Sequence, residues 1–106
     1  MKAYVVGLLE MNNWNWYDEY YQNTAKLIEK YGGKYIASGI KPDVLEGKST
    51  PNAHVILEFP SIEDARSWYQ DPEYKKMIKL RQTGGSSDIF IFPAGILSSC
   101  QKLIII

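Results

Sequence analysis

An α+β fold, with one four-stranded antiparallel sheet and helices on a single face, is predicted by three features of the sequence. Four short runs rich in β-branched and aromatic residues alternate with two longer stretches of helical periodicity, in the order βαββαβ. Gly and Pro mark the boundaries between these stretches. The chain has 106 residues, which is the length of one domain. This order of elements is typical of the split βαβ, or ferredoxin-like, arrangement.

The four strands follow from alternation and from the distribution of apolar residues. We predict them at residues 2–9, 34–40, 53–59 and 88–92. The first strand carries apolar residues on both faces, for example Val5 on one and Val6 on the other, which is typical of a strand covered on both sides. In the last strand Ile89 and Phe90 likewise point to opposite faces. Both faces of the sheet are therefore predicted to be apolar.

The first helix is predicted at residues 17–31 by an apolar stripe at helical spacing. Asn13 or Asn15 is the expected N-cap, since a side-chain amide oxygen can accept from the first free N–H groups. Gly32 and Gly33 are expected to end the helix, because glycine tolerates the left-handed conformation at that position.

The second helix is predicted to begin at a capping box, Ser61 to Asp64. It restarts at Asp71, an N-cap followed by Pro72 at the first helical position. Residues 84–87, Gly-Gly-Ser-Ser, are expected to form a flexible connection to the last strand.

Composition and charge narrow the range of functions. Twelve basic residues offset twelve acidic ones, so the chain has no net charge with which to attract nucleic acid or an anionic membrane. RNA binding is further disfavoured because residues 53–59 lack the basic-aromatic pattern of RNA-recognition sheets. One Cys and one His argue against a metal site, and no cofactor is expected. The lone thiol, the absence of a signal-peptide pattern and the broken apolar tail predict a cytoplasmic protein without a membrane span.

The second apolar face of the sheet predicts self-association. Two helices cover one face only, and an exposed apolar sheet usually marks an interface. A symmetric homodimer through the open face is the simplest cover. Residues 1–96 are assigned to the domain, and residues 97–106 to an apolar tail that we expect to pack on the partner subunit. Cys100 in this tail receives no catalytic role.

Six short motifs, in their order and spacing, resemble a known family. They are Tyr31-Gly32-Gly33-Lys34, Val44-Leu45-Glu46-Gly47, Val55 to Ser61, Ala65-Arg66-Ser67-Trp68-Tyr69, Asp71-Pro72-Glu73-Tyr74 and Leu80-Arg81. Together they are similar to the DUF1330 family, whose function is unknown, over about residues 2–95. The resemblance implies a dimeric α/β barrel, in which two ferredoxin-like sheets pack face to face. It implies no particular reaction, because this superfamily includes cofactor-independent oxygenases, haem-degrading enzymes and ligand-binding proteins.

Arg81 occupies an unusual position, because it lies on the apolar stripe of the second helix. A buried guanidinium needs a partner, and a carboxylate or phosphate of a ligand would supply one. The alternatives are an internal pair with Glu58, Glu46 or Asp64, or a side chain that extends to the surface.

His54 is the candidate general base, since imidazole titrates near neutrality. It would need a partner, and Glu46 could lie opposite it in a hairpin. The alternative is an ordinary structural or surface histidine. A haem ligand is disfavoured because His54 lies on a strand.

Aromatic residues on the helices complete the candidate site. Tyr20 and Trp68 belong to aromatic helix faces that could line a pocket above the sheet, or simply fill the core. Trp14 and Trp16 could guard its entrance, cap the first helix or contact a partner. We therefore expect a small organic ligand, aromatic or carboxylate, to be bound by Tyr20, His54, Trp68 and Arg81. A cofactor-independent oxygenase or isomerase, or a non-catalytic structural dimer, is the alternative.

Overall fold

The computed structural model describes residues 1–95 and contains one antiparallel sheet and three helices. The strands are β1 (Ala3–Met11), β2 (Lys34–Ile40), β3 (Ala53–Phe59) and β4 (Gly85–Pro93), and the helices are α1 (Tyr17–Lys30), α2 (Ile62–Gln70) and α3 (Pro72–Gln82). The strand order is β2-β3-β1-β4, which confirms the predicted ferredoxin-like sheet. No helix among residues 1–95 is long and apolar enough to cross a membrane. The predicted tail, residues 97–106, lies outside the described residues.

The helices cover one face of the sheet, and alternation along the strands shows which one. Val5 is buried and lies between Leu57 of β3 and Ile91 of β4 in the sheet register. These side chains pack in one core with Ile28 of α1 and Trp68 of α2. The even-numbered residues of β1 point to the other face, which no element among residues 1–95 covers.

The first and last strands, β1 and β4, pair further than the sequence predicts. β1 continues to Met11, and β4 begins at Gly85 instead of residue 88. The predicted flexible connection is therefore wrong for residues 85–87. Gly85 has φ +157°, and a Cβ at this position would collide with the carbonyl oxygen of Glu10, so the strand begins where glycine permits close approach.

Helix α1 begins differently from the prediction. Its N-cap is Trp16, which accepts no hydrogen bond through its side chain, so Asn13 and Asn15 are not side-chain caps. Instead the Trp16 indole is buried and donates to the carbonyl oxygen of Asn13 at 2.9 Å. A Cβ on Gly84 would overlap this indole, so only glycine at position 84 leaves room for the Trp16 ring.

The remaining predicted helix ends are confirmed. Gly32 follows α1 with φ +78°, and the N–H of Gly33 bonds to the carbonyl of Ile28 at 2.9 Å. Ser61 Oγ accepts from the N–H of Asp64 at 3.0 Å and caps α2. Helix α3 restarts at Asp71, whose Oδ1 accepts from the N–H of Glu73 at 2.8 Å.

Asp71 also ties α3 to the end of α1. Its Oδ2 accepts from the Tyr31 hydroxyl at 2.6 Å and from Lys30 Nζ at 3.2 Å. The hydroxyl of Tyr31, the N–H of Glu73 and the charge of Lys30 together lower the pKa of Asp71 to about 2, from an ordinary value of 3.8.

This shift predicts an acid-sensitive contribution to folding. The carboxylate stabilises the fold above its unfolded pKa, and that contribution is lost as the pH falls from about 4 through about 2. Asp71→Asn should have a lower melting temperature than the wild type at pH 7. The difference between the two melting temperatures should become smaller as the pH falls toward 2. Thermal unfolding of both proteins across this pH range measures the effect. Parallel curves, with a constant difference at every pH, would contradict it.

Candidate functional site

A cavity of about 780 Å³ lies between the helices and the covered face of the sheet. Its floor consists of inward-facing strand residues such as Val5, Leu57 and Ile89. Its walls come from all three helices and from β2, and most of the wall side chains are aromatic. The aromatic helix faces therefore do both: Trp68 and Tyr74 are buried in the core, and Tyr17, Tyr20 and Tyr21 border the space above the sheet.

Arg81 and Tyr74 reach the inner end of this cavity from α3. They are seven residues apart, which is two helical turns, so they share one face of the helix. Arg81 Nη1 donates to the Tyr74 hydroxyl at 3.0 Å and to the Tyr20 hydroxyl at 3.3 Å. The two hydroxyls are 2.6 Å apart and share a further hydrogen bond. We call Tyr20, Tyr74 and Arg81 the Tyr–Arg cluster.

The guanidinium of Arg81 is buried without a carboxylate partner among residues 1–95. Only 5% of the residue is exposed. The internal pairs considered above do not form: Glu58 bonds to Lys2 at 3.0 Å, Asp64 accepts from Ser61, and Glu46 lies in an exposed loop. The side chain does not extend to the surface either.

Three buried polar atoms around the cavity have no hydrogen-bond partner within residues 1–95. They are Arg81 Nε, Trp68 Nε1 and Thr24 Oγ1. The first two are N–H donors, and the third is a hydroxyl that can donate or accept. Leaving such a group unsatisfied costs about 1–3 kcal/mol, so a ligand or water that accepts these protons would be favoured.

The surroundings fix the protonation states of Tyr74 and Arg81. Burial raises the pKa of the Tyr74 hydroxyl well above its usual value, so this tyrosine stays neutral. Burial opposes the charge of Arg81, but the two tyrosine oxygens outweigh it and its pKa lies above its usual value. The inner end of the cavity is thus a fixed cation beside the neutral hydroxyl of Tyr74.

His54 lies apart from this cluster. Along β3 the side chains of Ala53 and Val55 point into the cavity, and the alternation places the His54 imidazole on the opposite face of the sheet. His54 is nonetheless one of the residues that line the cavity, together with Gly39 and Ile40 of β2. Its neighbour across the strands is Gly39 instead of Glu46, so the predicted His–Glu pair is wrong.

The open end of the cavity is lined by exposed aromatic rings. Trp14 stacks on Trp16 with ring centroids 5.5 Å apart, and Tyr17 stacks on Tyr21 at 5.9 Å. Trp14, Tyr17 and Tyr21 are exposed, whereas Trp16 is buried. Trp14 and Trp16 both line the cavity, and Trp16 is also the N-cap residue of α1.

Two members of the site were not among the site residues predicted from sequence. Thr24 lies on the apolar stripe of α1, where a hydroxyl group is the signal that the sequence offers. Tyr74 lies seven residues before Arg81, and this spacing is the signal that places both side chains on one face of α3.

Comparison with known proteins places this chain in a family. The sequence model of the family described as "Domain of unknown function (DUF1330)" matches residues 2–94. The chain belongs to the DUF1330 family. The predicted resemblance is thereby confirmed, and no curated protein matches the chain.

Solved structures share the fold of this DUF1330 chain. RPA0582, a protein of unknown function from Rhodopseudomonas palustris, is 20% identical with a TM-score of 0.72, over 90% of this chain and 84% of the other. A dimeric protein of unknown function and ferredoxin-like fold from Bacteroides fragilis is 14% identical with a TM-score of 0.55, over 86% and 94%. SnoaB, a cofactor-independent oxygenase from Streptomyces nogalater, is 12% identical with a TM-score of 0.58, over 92% and 96%.

Because the charge of Arg81 has no ionic partner within residues 1–95, we expect its removal to weaken ligand binding without lowering the stability of the fold. Replacing a buried ion with an apolar side chain of similar length is often neutral or stabilising. We expect Arg81→Met, without ligand, to unfold in urea with a free energy equal to the wild type or higher by up to about 2 kcal/mol.

The exposed Arg66 of α2 provides the control, since Arg66→Met removes an arginine with no buried contacts. Its unfolding free energy should stay within about 0.5 kcal/mol of the wild type. A loss of several kcal/mol in Arg81→Met alone would show that Arg81 serves the fold instead of a ligand.

Proposed function

We propose that this DUF1330 protein binds a small organic anion with an aromatic body in the cavity between sheet and helices, with Arg81 as the anchor. The observation that carries the proposal is the buried guanidinium without a carboxylate partner within residues 1–95. An unpaired buried charge is costly, so folds retain one mainly where a ligand supplies the counter-charge.

The shape and lining of the cavity support an aromatic body. Its volume of about 780 Å³ lies in the range of small-molecule sites, roughly 300–1,000 Å³. The half-buried ring of Tyr20 and the exposed rings of Trp14, Tyr17 and Tyr21 line the cavity and can contact a planar molecule, and aromatic pairs gain about 0.5–1.5 kcal/mol beyond burial. Trp68 Nε1 and Thr24 Oγ1 can bond further ligand oxygens.

Two other functions have less support. A cofactor-independent oxygenase activity is suggested by SnoaB, but at 12% identity the two chains share the fold and no demonstrated chemistry. A purely structural dimer would be expected to fill its core, whereas this fold keeps a cavity with unsatisfied polar groups.

The anchor role of Arg81 predicts a charge preference among ligands. Benzoate and 2-naphthoate should bind more tightly than the neutral amides of the same shape, measured by calorimetry. Arg81→Gln should weaken carboxylate binding by about tenfold or more, which corresponds to about 1.4 kcal/mol, and leave amide binding nearly unchanged.

Arg66→Gln is the matched control, because this exposed arginine lies outside the cavity. Its affinity for 2-naphthoate should equal that of the wild type. Equal binding of acid and amide by the wild type, or an undiminished affinity in Arg81→Gln, would contradict the proposal.

We further propose that the uncovered face of the sheet joins two copies of the chain. Phe90 and Phe92 of β4 are 47% and 53% exposed and lie beside Val6 and Tyr4 of β1 in the register. An apolar sheet face of this kind marks an interface, and structural neighbours of the same fold are described as dimeric.

A charged residue on that face should separate the copies. Light scattering of the wild type at micromolar concentration should give twice the chain mass of 12.1 kDa. Phe92→Asp should give the mass of a single chain, because burying an unpaired carboxylate is costly. Lys75→Asp on α3, an exposed position away from the sheet, is the control and should stay dimeric. A wild type that scatters as one chain would overturn the interface.

A further inference from the structure

The Tyr–Arg cluster has two hydroxyl hydrogens but an internal acceptor for only one of them. Arg81 Nη1 has two hydrogens, and these go to the two hydroxyl oxygens. The tyrosines have one hydrogen each, and one of these forms the bond of 2.6 Å between the hydroxyls. The other hydroxyl hydrogen has no acceptor among residues 1–95.

Burial decides which tyrosine keeps the spare hydrogen. Tyr74 is only 1% exposed, and a buried hydroxyl hydrogen without an acceptor is costly. Within residues 1–95 the Tyr20 oxygen is the only acceptor in reach of the Tyr74 hydroxyl hydrogen. Tyr74 therefore donates to Tyr20, and Tyr20, which is only partly buried, keeps its own hydrogen for the cavity.

The spare hydrogen of Tyr20 is a strong donor. The Tyr20 oxygen accepts from the Arg81 guanidinium and from Tyr74, and hydrogen bonds that run in one direction polarise one another. The guanidinium also lies 5.9 Å from the centre of the Tyr20 ring. A ligand oxygen at this point would meet a polarised O–H close to a fixed positive charge.

From this geometry we infer that Tyr20 donates its hydroxyl hydrogen to a ligand oxyanion, and that the site therefore selects acidic phenols or enols in their ionised form. The inference rests on the anion-binding function proposed above. It specifies the class of anion, since a weak acid gains the interaction only when it loses its own proton. That proton goes to solvent, the ligand's O–H bond is the only bond broken, and Tyr20 keeps its hydrogen.

The other charged and titratable groups along the cavity support this selection. Among the lining residues Arg81 is the only cation, and the one carboxylate, Asp18, is exposed at the entrance. Tyr35 of β2 is a neutral phenol, because burial raises its pKa. Tyr17 and Tyr21 lie at the open end, and the His54 imidazole is on the other face of the sheet. The inner end of the cavity therefore has a donor surplus and no competing anion within residues 1–95.

The test is the acidity of a coloured phenol bound to the full-length protein. The visible absorption of 4-nitrophenol reports its ionised fraction directly. On the wild type its pKa should fall by about one unit or more, since a tenfold preference for the phenolate shifts the bound pKa by one unit. Tyr20→Phe should reduce the preference for the ionised phenol about tenfold, because this substitution deletes the hydroxyl donor and keeps the ring.

Tyr69→Phe is the matched control. Its ring centre is 5.8 Å from that of Tyr74, but Tyr69 does not line the cavity, so the bound phenol should ionise as in the wild type. The ether 4-nitroanisole, which cannot ionise, should bind equally to the wild type and to Tyr20→Phe.

The outcomes separate this inference from the function on which it rests. If benzoate binds through Arg81 but the pKa of bound 4-nitrophenol equals its free value, the inference fails and the anion site stands. An unchanged shift in Tyr20→Phe has the same meaning. If neither benzoate nor 4-nitrophenol binds, the proposed function itself fails. The wild-type measurement decides the inference even where Tyr20→Phe does not fold.

Discussion

The burial of a guanidinium beside two tyrosine hydroxyls is the constraint on which the candidate site depends. A positive charge in the interior is stable only with nearby acceptors, and the two tyrosine oxygens satisfy part of one end of the guanidinium. Burial keeps Tyr74 protonated, so its oxygen solvates the charge as a dipole and does not neutralise it. Within residues 1–95 no carboxylate pairs with Arg81, and the anion proposed above would supply the missing charge.

The fold explains why the cluster lies where a ligand can reach it. Helix α3 is short and begins at a fixed point, since Asp71 ties its first turn to Tyr31 at the end of α1. This attachment sets the rotation of α3, and with it the direction of Tyr74 one turn later and of Arg81 after two further turns. Helix α1 supplies Tyr20 from the opposite wall. Helix α3 therefore carries both the acid-sensitive contact of Asp71 and the cavity residues Tyr74 and Arg81.

Sequence patterns predict the fold well because its determinants are local. Alternation assigns the faces of the strands, and glycine, serine and aspartate at helix ends fix most of the helix boundaries. Two predictions fail where distant residues decide the outcome. Residues 85–87 have the composition of a loop but pair with the end of β1, and α1 begins with a buried indole that is accommodated by Gly84.

The site was predicted only in part, for a related reason. Helical periodicity places Arg81, Tyr20 and Trp68 toward the sheet, and all three line the cavity. The strand period of two puts the His54 imidazole on the other face of the sheet, although His54 also borders the cavity beside Gly39 of β2. Hydrogen-bond satisfaction could not be read from sequence at all. The missing partners of Thr24 and Trp68 depend on how three helices meet over one sheet.

Because side chains alternate along a strand, the two faces of the sheet carry separate sets of residues. In β1, Val5 faces the cavity and the core, while its neighbour Val6 faces the open side between Ile56 and Phe90. A substitution at Val5 therefore alters the side of the sheet that carries the cavity, whereas a substitution at Val6 alters the open side. Solved structures that are 20% identical or less share this fold, so the alternation of faces belongs to the fold while the side chains on each face vary.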